Sequence, residues 1–594
     1  MKKLICNLLI AGATAALFAA SASAQLMING VGSSAEFQAA SLAAFQLAGG
    51  TGSGAGHWTA SNAGKIHDTR EPGIPDEQGN LAIVWDPTGT KVWSYLSVDS
   101  VVGNRAYFAA PRTTLLIPAP MPAAGQKISA GLWGADTATA SIPPNVLVLL
   151  APSGIGVPGA QFSAAYTDIL PADAKFAQNR VNCGTAATAT IGCLGYGSAD
   201  PHLGVPIQSA FSATVANPVD FNIYGSDPIT GSAVHNYTVV PIGIAPLLII
   251  ANRTNASGLG QSFYSDMTYQ STAQLLWTGT DCDGTAFGFP SGVNYLFAVY
   301  PVQREPLSGT MNTFEFNFMV QNGQGLVSGG YFSQESIFNP PYFDPSTFGA
   351  IPPAANNPLN GACSSSSYAV GPQGRRMRAI GTGEMVSAIK GTAPTYTDAQ
   401  DRIGYIFFGY GNVSSIANSS NWGYLQYQLI DPVNPSGNYA VPYVSGGLNW
   451  PGNGELPVCT APCGIGPNLS FPNVRNGAYR NWSLLRAVAD SGSAALTNLQ
   501  ALATTAQNQI NSTQPDFLPF NAASDGDLGF IGYRVHFDPN PSPTGTGPNG
   551  SATFSFNATN TPNNGITVPS AEAGGDVGGC LDYKYDPNPT GCRY

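Results

Sequence analysis

The run from Asn294 to Phe318 leaves the chain little local freedom. Asn294-Tyr295-Leu296-Phe297-Ala298-Val299-Tyr300-Pro301-Val302 is rich in β-branched and aromatic residues and predicts a buried strand. Met311, Phe314 and Phe318 then recur at helical spacing. The residues between, Gln303-Arg304-Glu305-Pro306-Leu307-Ser308-Gly309-Thr310, must therefore turn a strand directly into a helix. Ser308 stands at the expected N-cap. The first N–H groups of a helix have no partner inside it and favour negative charge. Gly309 lets the backbone approach a ligand closely. Ser308 and Thr310 add hydroxyls, and Arg304 adds a planar cation that can grip an oxyanion with two hydrogen bonds. Ser-Gly-Thr alone reads as a capped helix after a strand. With Arg304 four residues ahead of Ser308, the run reads better as a tetrahedral-anion site.

This run resembles the "R…SGT…TF" turn of phosphate-binding proteins, the periplasmic receptors of ABC phosphate importers, and of the related DING proteins. Other segments resemble that family in the same order. Met27-Ile28-Asn29-Gly30-Val31-Gly32-Ser33-Ser34-Ala35-Glu36-Phe37 is a strand, a glycine turn and a helix start, with the helix continuing through Leu42 and Phe45. It resembles the "GAGATFP" opening, with Ser34 at the ligand-binding Thr and Ala35 at the Phe; Ser33 and Glu36 also have the spacing of a capping box. Gly195-Tyr196-Gly197-Ser198-Ala199-Asp200 resembles "GxGSSGG", which aligns Ser198 with a ligand-binding Ser. Val219-Asp220-Phe221-Asn222-Ile223-Tyr224-Gly225-Ser226-Asp227-Pro228 resembles "VDFGASDAP", which puts Asp227 on the ligand-binding Asp. Thr272–Gly279 resembles the helix ending in "lfxGxixxW", and Arg402–Phe408 the strand "aIGYvey". One departure is clear: the family has an Asp two residues after the Arg, holding the guanidinium, and here that position is Pro306.

The resemblance implies an α/β, two-lobed periplasmic-binding-protein-like (type II) fold with mixed sheets. It implies a cleft in which Ser34, Ser198 and Asp227 from lobe one meet Arg304, Ser308, Gly309 and Thr310 from lobe two. The implied ligand is inorganic phosphate, the implied partner an ABC importer permease, and no cofactor or catalytic residue is implied. Hinge closure around the anion would be the mechanism.

The rest of the chain is read around that expectation. Lys2 and Lys3, the apolar Leu4–Phe18 and the small residues Ala22-Ser23-Ala24 form a secretory signal over 1–24, so the protein is expected to be periplasmic or secreted. No later apolar run is long enough to span a bilayer. Beyond Cys6 in the signal, the cysteines are Cys183, Cys193, Cys282, Cys363, Cys459, Cys463, Cys580 and Cys592. In an exported chain an even set reads as disulfides. Close spacing favours 183–193, 459–463 and 580–592, leaving 282–363. No pair has the spacing of a zinc site. The formal net charge of −11 argues against a nucleic-acid partner. Charged residues are 10% of the chain, against roughly 25% in average domains. Gly, Pro and uncharged polar residues fill that deficit, as suits an extracellular, loop-rich protein.

Lobe one is expected over 25–50 and 181–251. An inserted β-rich subdomain over 51–180 would carry strands at Leu81–Trp85, Val92–Val102 and Ala106–Phe108, with His57, His67 and Asp68 as solvated polar residues. The apolar Val239–Ile250 would cross between lobes. Lobe two would take 252–470, including a helix begun at Gly381. Residues 471–515 would return to lobe one, with Trp482–Ala489 helical, and 516–594 would form a Gly-, Pro- and Asn-rich β-like tail. Two other functions are open to such a chain. One is a surface or matrix protein that kept the fold without transport. The other is a phosphatase-like hydrolase, ranked last because no activated Ser, paired metal ligands or nucleophile-bound His is visible.

Overall fold

Strand and helix alternate at the start of the chain as its apolar pattern demands. Ile28 to Ser33 are buried in succession, and β1 spans Gln25–Ser33. A single turn of 3₁₀ helix (Ser34–Glu36) leads into α1 (Phe37–Leu47). The computed structural model describes residues 24–50, 52–68, 70, 77–117, 142–150, 159–171, 173–175, 178, 220–252, 266–267, 300–304, 307–314, 377–379, 381–390, 402–407, 422–427, 481–509 and 518–519. Thus 1–23, the Thr272–Gly279 helix, Ser198, every expected disulfide cysteine and all of the expected tail but 518–519 lie outside the described residues.

After α1 come β2 (Gly56–His67), β3 (Gln78–Trp85), β4 (Lys91–Val98), α2 (Ser100–Phe108), β5 (Thr114–Leu116), α3 (Pro144–Leu150) and β6 (Ala164–Thr167). The long β7 (Tyr237–Asn252) follows, then β8 (Asp266–Met267), β9 (Tyr300–Arg304), α4 (Gly309–Phe314), β10 (Met377–Ala379) and α5 (Gly381–Lys390). The remainder is β11 (Arg402–Phe407), β12 (Trp422–Tyr427), β13 (Trp482–Asp490), α6 (Ala494–Gln509) and β14 (Leu518–Pro519).

These strands make one 14-stranded mixed sheet, whose main path runs β10-β9-β11-β7-β13-β6-β1-β4-β3-β2-β5. The fold is α/β, as expected. β1 is parallel to β4 and β6, and β9 is parallel to β10 and β11. β7 joins the two parallel sets. Its first part, Tyr237–Pro246, pairs antiparallel with β13, and its second part pairs with β11 and β12. Pro241 sits in the crossing strand, where its missing N–H would break a regular ladder. The register shifts between Leu485 and Arg486, opposite Gly243 and Pro241, so Ile242 bulges out of the pairing. Gln507 of α6 donates to the Ile242 carbonyl at 3.0 Å and so satisfies an acceptor at the bulge.

Several expected elements differ, each for a physical reason. Residues 51–180 do not stand apart from the first half. β4 is hydrogen-bonded along the whole of β1, and β3, β2 and β5 extend the same sheet. The stretch read as strand through Val102 and again at Ala106–Phe108 is α2. All of its residues are buried, so it has no polar face to reveal a helical period, and its Val, Tyr and Phe content mimics a strand. Trp482–Ala489, expected helical, is β13. It lies between β6 and β7 with only Asp490 less than fully buried, and a strand covered on both faces shows no alternation. His57 is buried edge-on to Phe45 at 5.1 Å, and Asp68 pairs with Arg70, so neither is a solvated loop residue.

Candidate functional site

In open sheets of this kind the ends of parallel strands are where loops converge and helices begin. Here the C-terminal ends of β1, β4, β6, β9 and β10 lead into Ser34, Asp99-Ser100, Asp168, Arg304 and Thr382 in turn. Those residues are brought together by side-chain contacts.

Arg304 ends β9 and is fully buried. Its backbone N–H donates to the Tyr405 hydroxyl at 3.0 Å. Tyr405 in turn stacks on Phe314 of α4 at 3.9 Å, which fixes α4 over β11. The guanidinium donates from Nη1 to Thr382 Oγ1 at 2.5 Å and from Nη2 to Asp99 Oδ1 at 2.6 Å. Thr382 Oγ1 also lies 2.8 Å from Ser34 Oγ. Asp99 therefore supplies the carboxylate that Pro306 cannot, and it does so from the far half of the sheet. A two-point grip holds the planar cation in one orientation, which a single contact would not.

The expected helix start after Arg304 is present, from Leu307 on. Ser308 Oγ accepts the Met311 N–H at 3.2 Å, the N-cap bond that its position promised. Gly309 lies against Asp168 and Ser100. A Cβ there would come within 1.8 Å of Asp168 Oδ1 and 2.6 Å of Ser100 Oγ, so only glycine fits. Thr310 Oγ1 donates to Asp168 Oδ2 at 3.3 Å, and Ser100 donates to Asp168 Oδ1. Asp168 is buried, and burial raises its pKa above the ordinary carboxylate range despite the Ser100 hydroxyl and the Arg304 cation.

Of the residues expected in the site, the structure thus gathers Ser34, Arg304, Ser308, Gly309 and Thr310. It does not bring Asp227 to them. Asp227 Oδ2 pairs with Arg70 at 2.5 Å and accepts the Ala110 N–H at 3.0 Å. Its Oδ1 accepts the N–H groups of Ile229 and Thr230 at 2.9 and 3.0 Å. That carboxylate ties its own turn to the loop after α2. The acid among the site hydroxyls is Asp168, and the serine at the start of a buried helix is Ser100. Both signals were present in the sequence. Ala164–Thr167 is a short β-like run followed by Asp168 and then Pro171, an acid at a turn much as Asp227 precedes Pro228. Asp99-Ser100 precedes a helix that its own uniform burial disguised as a strand.

Asp227 accordingly belongs to stability. Burial raises its pKa, but the Thr230 N–H, the Arg70 guanidinium and the Ala110 N–H together hold it below the usual carboxylate range. Its folded-state value is depressed, so its contribution is complete above the unfolded-state value and is lost as pH falls through the folded one. Asp227→Ala should cost about 1–3 kcal/mol at neutral pH. It should flatten the acid limb of a plot of thermal midpoint against pH, and leave anion binding unchanged. Calorimetric melting checks the first and titration the second; lost anion binding in a folded variant would return Asp227 to the site.

No protein-family model matches the chain, and no curated protein matches it. Solved structures that it is similar to include a phosphate binding protein from Stenotrophomonas maltophilia, at 10% identity over 84% of this chain and 92% of that chain with a TM-score of 0.32. Another is a DING protein, at 13% identity over 84% of this chain and 93% of that one, TM-score 0.32. A third is an ABC-type phosphate transport receptor from Vibrio cholerae, at 11% identity over 49% of this chain and 78% of that one, TM-score 0.24.

Proposed function

We propose that the protein is an exported binding protein that holds a tetrahedral oxyanion, phosphate by preference, among Ser34, Ser100, Asp168, Arg304, Ser308, Gly309, Thr310 and Thr382. The observation that carries this reading is the convergence of one oriented guanidinium, a set of hydroxyls and one buried acid at the ends of parallel strands from both halves of the sheet. Hydroxyls and a fork-shaped cation are donors that suit an oxyanion. A lone carboxylate among them suits an oxyanion that still carries a proton. The Ser100 and Thr310 hydroxyls both donate to Asp168 and so hold that acid in place beside the guanidinium. Because Arg304 and Thr382 contact Asp99 and Ser34 across the two halves, closure of the halves on each other would complete the site.

An importer permease as partner and periplasmic delivery belong to the same proposal, supported by the sequence resemblance and by the signal-like start of the chain. Isothermal titration of the mature chain, from Gln25 on, with inorganic phosphate at neutral pH tests the reading. One anion bound per chain is expected; no heat of binding up to millimolar phosphate would favour the surface-protein reading instead.

A further inference from the structure

Glu36 lies two residues beyond Ser34, in the turn from β1 into α1, and the anion site as described makes no use of it. It is 1% exposed, and no hydrogen bond of normal geometry reaches either carboxyl oxygen. Ser33, which opens this turn, caps Ala35 at 3.2 Å, but Glu36 does not reach back as a capping box would require.

The charged and titratable groups facing Glu36 come from each element packed on the turn. Asp168, after β6, repels its ionised form, and Arg486 on β13 attracts it. Tyr95 on β4 and Tyr166 on β6 also feel its charge. Their rings stack at 4.4 Å and help to close the region to water. The Tyr95 hydroxyl donates to the Ser33 carbonyl and is not spent on Glu36. Arg304 acts on Asp168, on the site side of the pair. An ionised Glu36 thus lacks water and a side-chain hydrogen bond and faces another acid, set against the Arg486 cation and the backbone N–H groups of Arg486 and Thr167. A protonated Glu36 avoids each of these costs. Burial first, and Asp168 second, drive its pKa well above the usual carboxylate range, against the Arg486 guanidinium and the backbone N–H groups of Arg486 and Thr167.

We propose that Glu36 is a proton-linked gate on the oxyanion site: the anion binds while Glu36 is protonated, and ionisation of Glu36 expels it. This inference rests on the oxyanion reading above. An anion beside Asp168 adds negative charge to a region where Glu36 can shed its own only by holding a proton. Linkage is reciprocal, so whatever ionisation of Glu36 does to anion affinity, the anion does to the proton affinity of Glu36. Binding then takes up a proton wherever Glu36 is partly ionised in the empty site. Such a protein captures its ligand in neutral or acidic surroundings and releases it in alkaline ones.

The test compares the mature chain with Glu36→Gln, titrating each calorimetrically with inorganic phosphate between about pH 5 and pH 9, in buffers of different ionisation enthalpy. Phosphate's own titration is common to both proteins, so the difference isolates Glu36 together with its coupling to Asp168. Affinities should agree within about twofold at the acid end, and Glu36→Gln should bind about tenfold tighter or more at the alkaline end. The unmodified chain should take up more protons per phosphate than the variant. Glu36→Met, similar in length and uncharged, should behave like Glu36→Gln and serves if the latter folds poorly. Parallel affinity profiles with equal proton uptake overturn the gate and leave the oxyanion reading standing. Absence of phosphate binding by the unmodified chain at every pH overturns both.

Discussion

Phosphate affinity should fall about a hundredfold or more in Arg304→Ala, while the protein stays folded. Charge-assisted hydrogen bonds contribute roughly 1.5–3 kcal/mol each, and a guanidinium can give an oxyanion two of them. Two such bonds amount to about 3–6 kcal/mol, and each 1.4 kcal/mol is a factor of about ten. The cation is also fully buried, so little water stands ready to replace it. Its orientation is set before any ligand arrives, by Thr382 and Asp99. Little freedom is then left to lose on binding, which is the advantage of a preorganised site. Arg304→Lys separates charge from shape. It keeps the positive charge but cannot hold Asp99, Thr382 and an anion in one plane, so its affinity should fall between parent and alanine variant. Asp99 is 14% exposed at its side chain and can rehydrate when its partner is removed, so the fold should survive. Calorimetric titration gives the affinities and circular dichroism the fold. Parent-like binding by Arg304→Ala would remove Arg304 from the site.

Asp99 also shows where sequence reading reaches its limit. The strand end at Tyr300–Arg304 and the helix start at Ser308 were legible because their parts are local: an apolar run, a cap and a glycine, each judged against near neighbours. The same is true of β1 into α1, of the crossing strand β7, of α5 from Gly381 and of β11. What holds Arg304 is not local. Asp99 is about two hundred residues away in sequence and meets it only because β4 and β9 deliver their ends to one place. Pro306 in the expected carboxylate position announced that something else must hold the cation, without saying what.

The acid and the second serine were missed for a different reason. The resemblance of 219–228 to a family segment points to Asp227, and nothing local to Asp168 ranks it above that acid. Tertiary structure does. Asp227 has its oxygens filled by Arg70 and by N–H groups of Ala110, Ile229 and Thr230, whereas Asp168 is held by the hydroxyls of Ser100 and Thr310. The supposed insertion over 51–180 belongs to the same difficulty. Once α2 is taken for strand, Ser100 loses its helix, and the region appears to be a β unit with no link to the site. Uniform burial erased the periodicity that would have distinguished α2 from a strand, and β13 from a helix.

Exchange of Asp168 for asparagine should raise sulfate affinity about a hundredfold and lower phosphate affinity, nearly erasing the selectivity of the parent. The reason lies in proton inventory. An ionised carboxylate accepts hydrogen bonds but cannot donate, so the anion beside it must bring the proton. Hydrogen phosphate carries one at neutral pH, and sulfate carries none. Sulfate would therefore set its own oxygen against the Asp168 carboxylate in a buried place, or require Asp168 to take a proton first. Unpaired charge of that kind costs several kcal/mol, so the repulsion against sulfate discriminates as strongly as the attraction to phosphate. The asparagine amide can turn its NH₂ toward the anion and donate at any pH. Burial already raises the Asp168 pKa, so protonation of the acid is within reach on acidification. The sign follows: in the parent, sulfate binding should strengthen as pH falls toward the Asp168 value, while in Asp168→Asn that acid-side gain should disappear. Competition titrations of phosphate against sulfate, run at neutral pH and again near pH 5, measure both effects. Equal affinity of the parent for the two anions at neutral pH would mean that Asp168 does not face the ligand, and would leave a site that recognises tetrahedral anions by charge and hydroxyls alone.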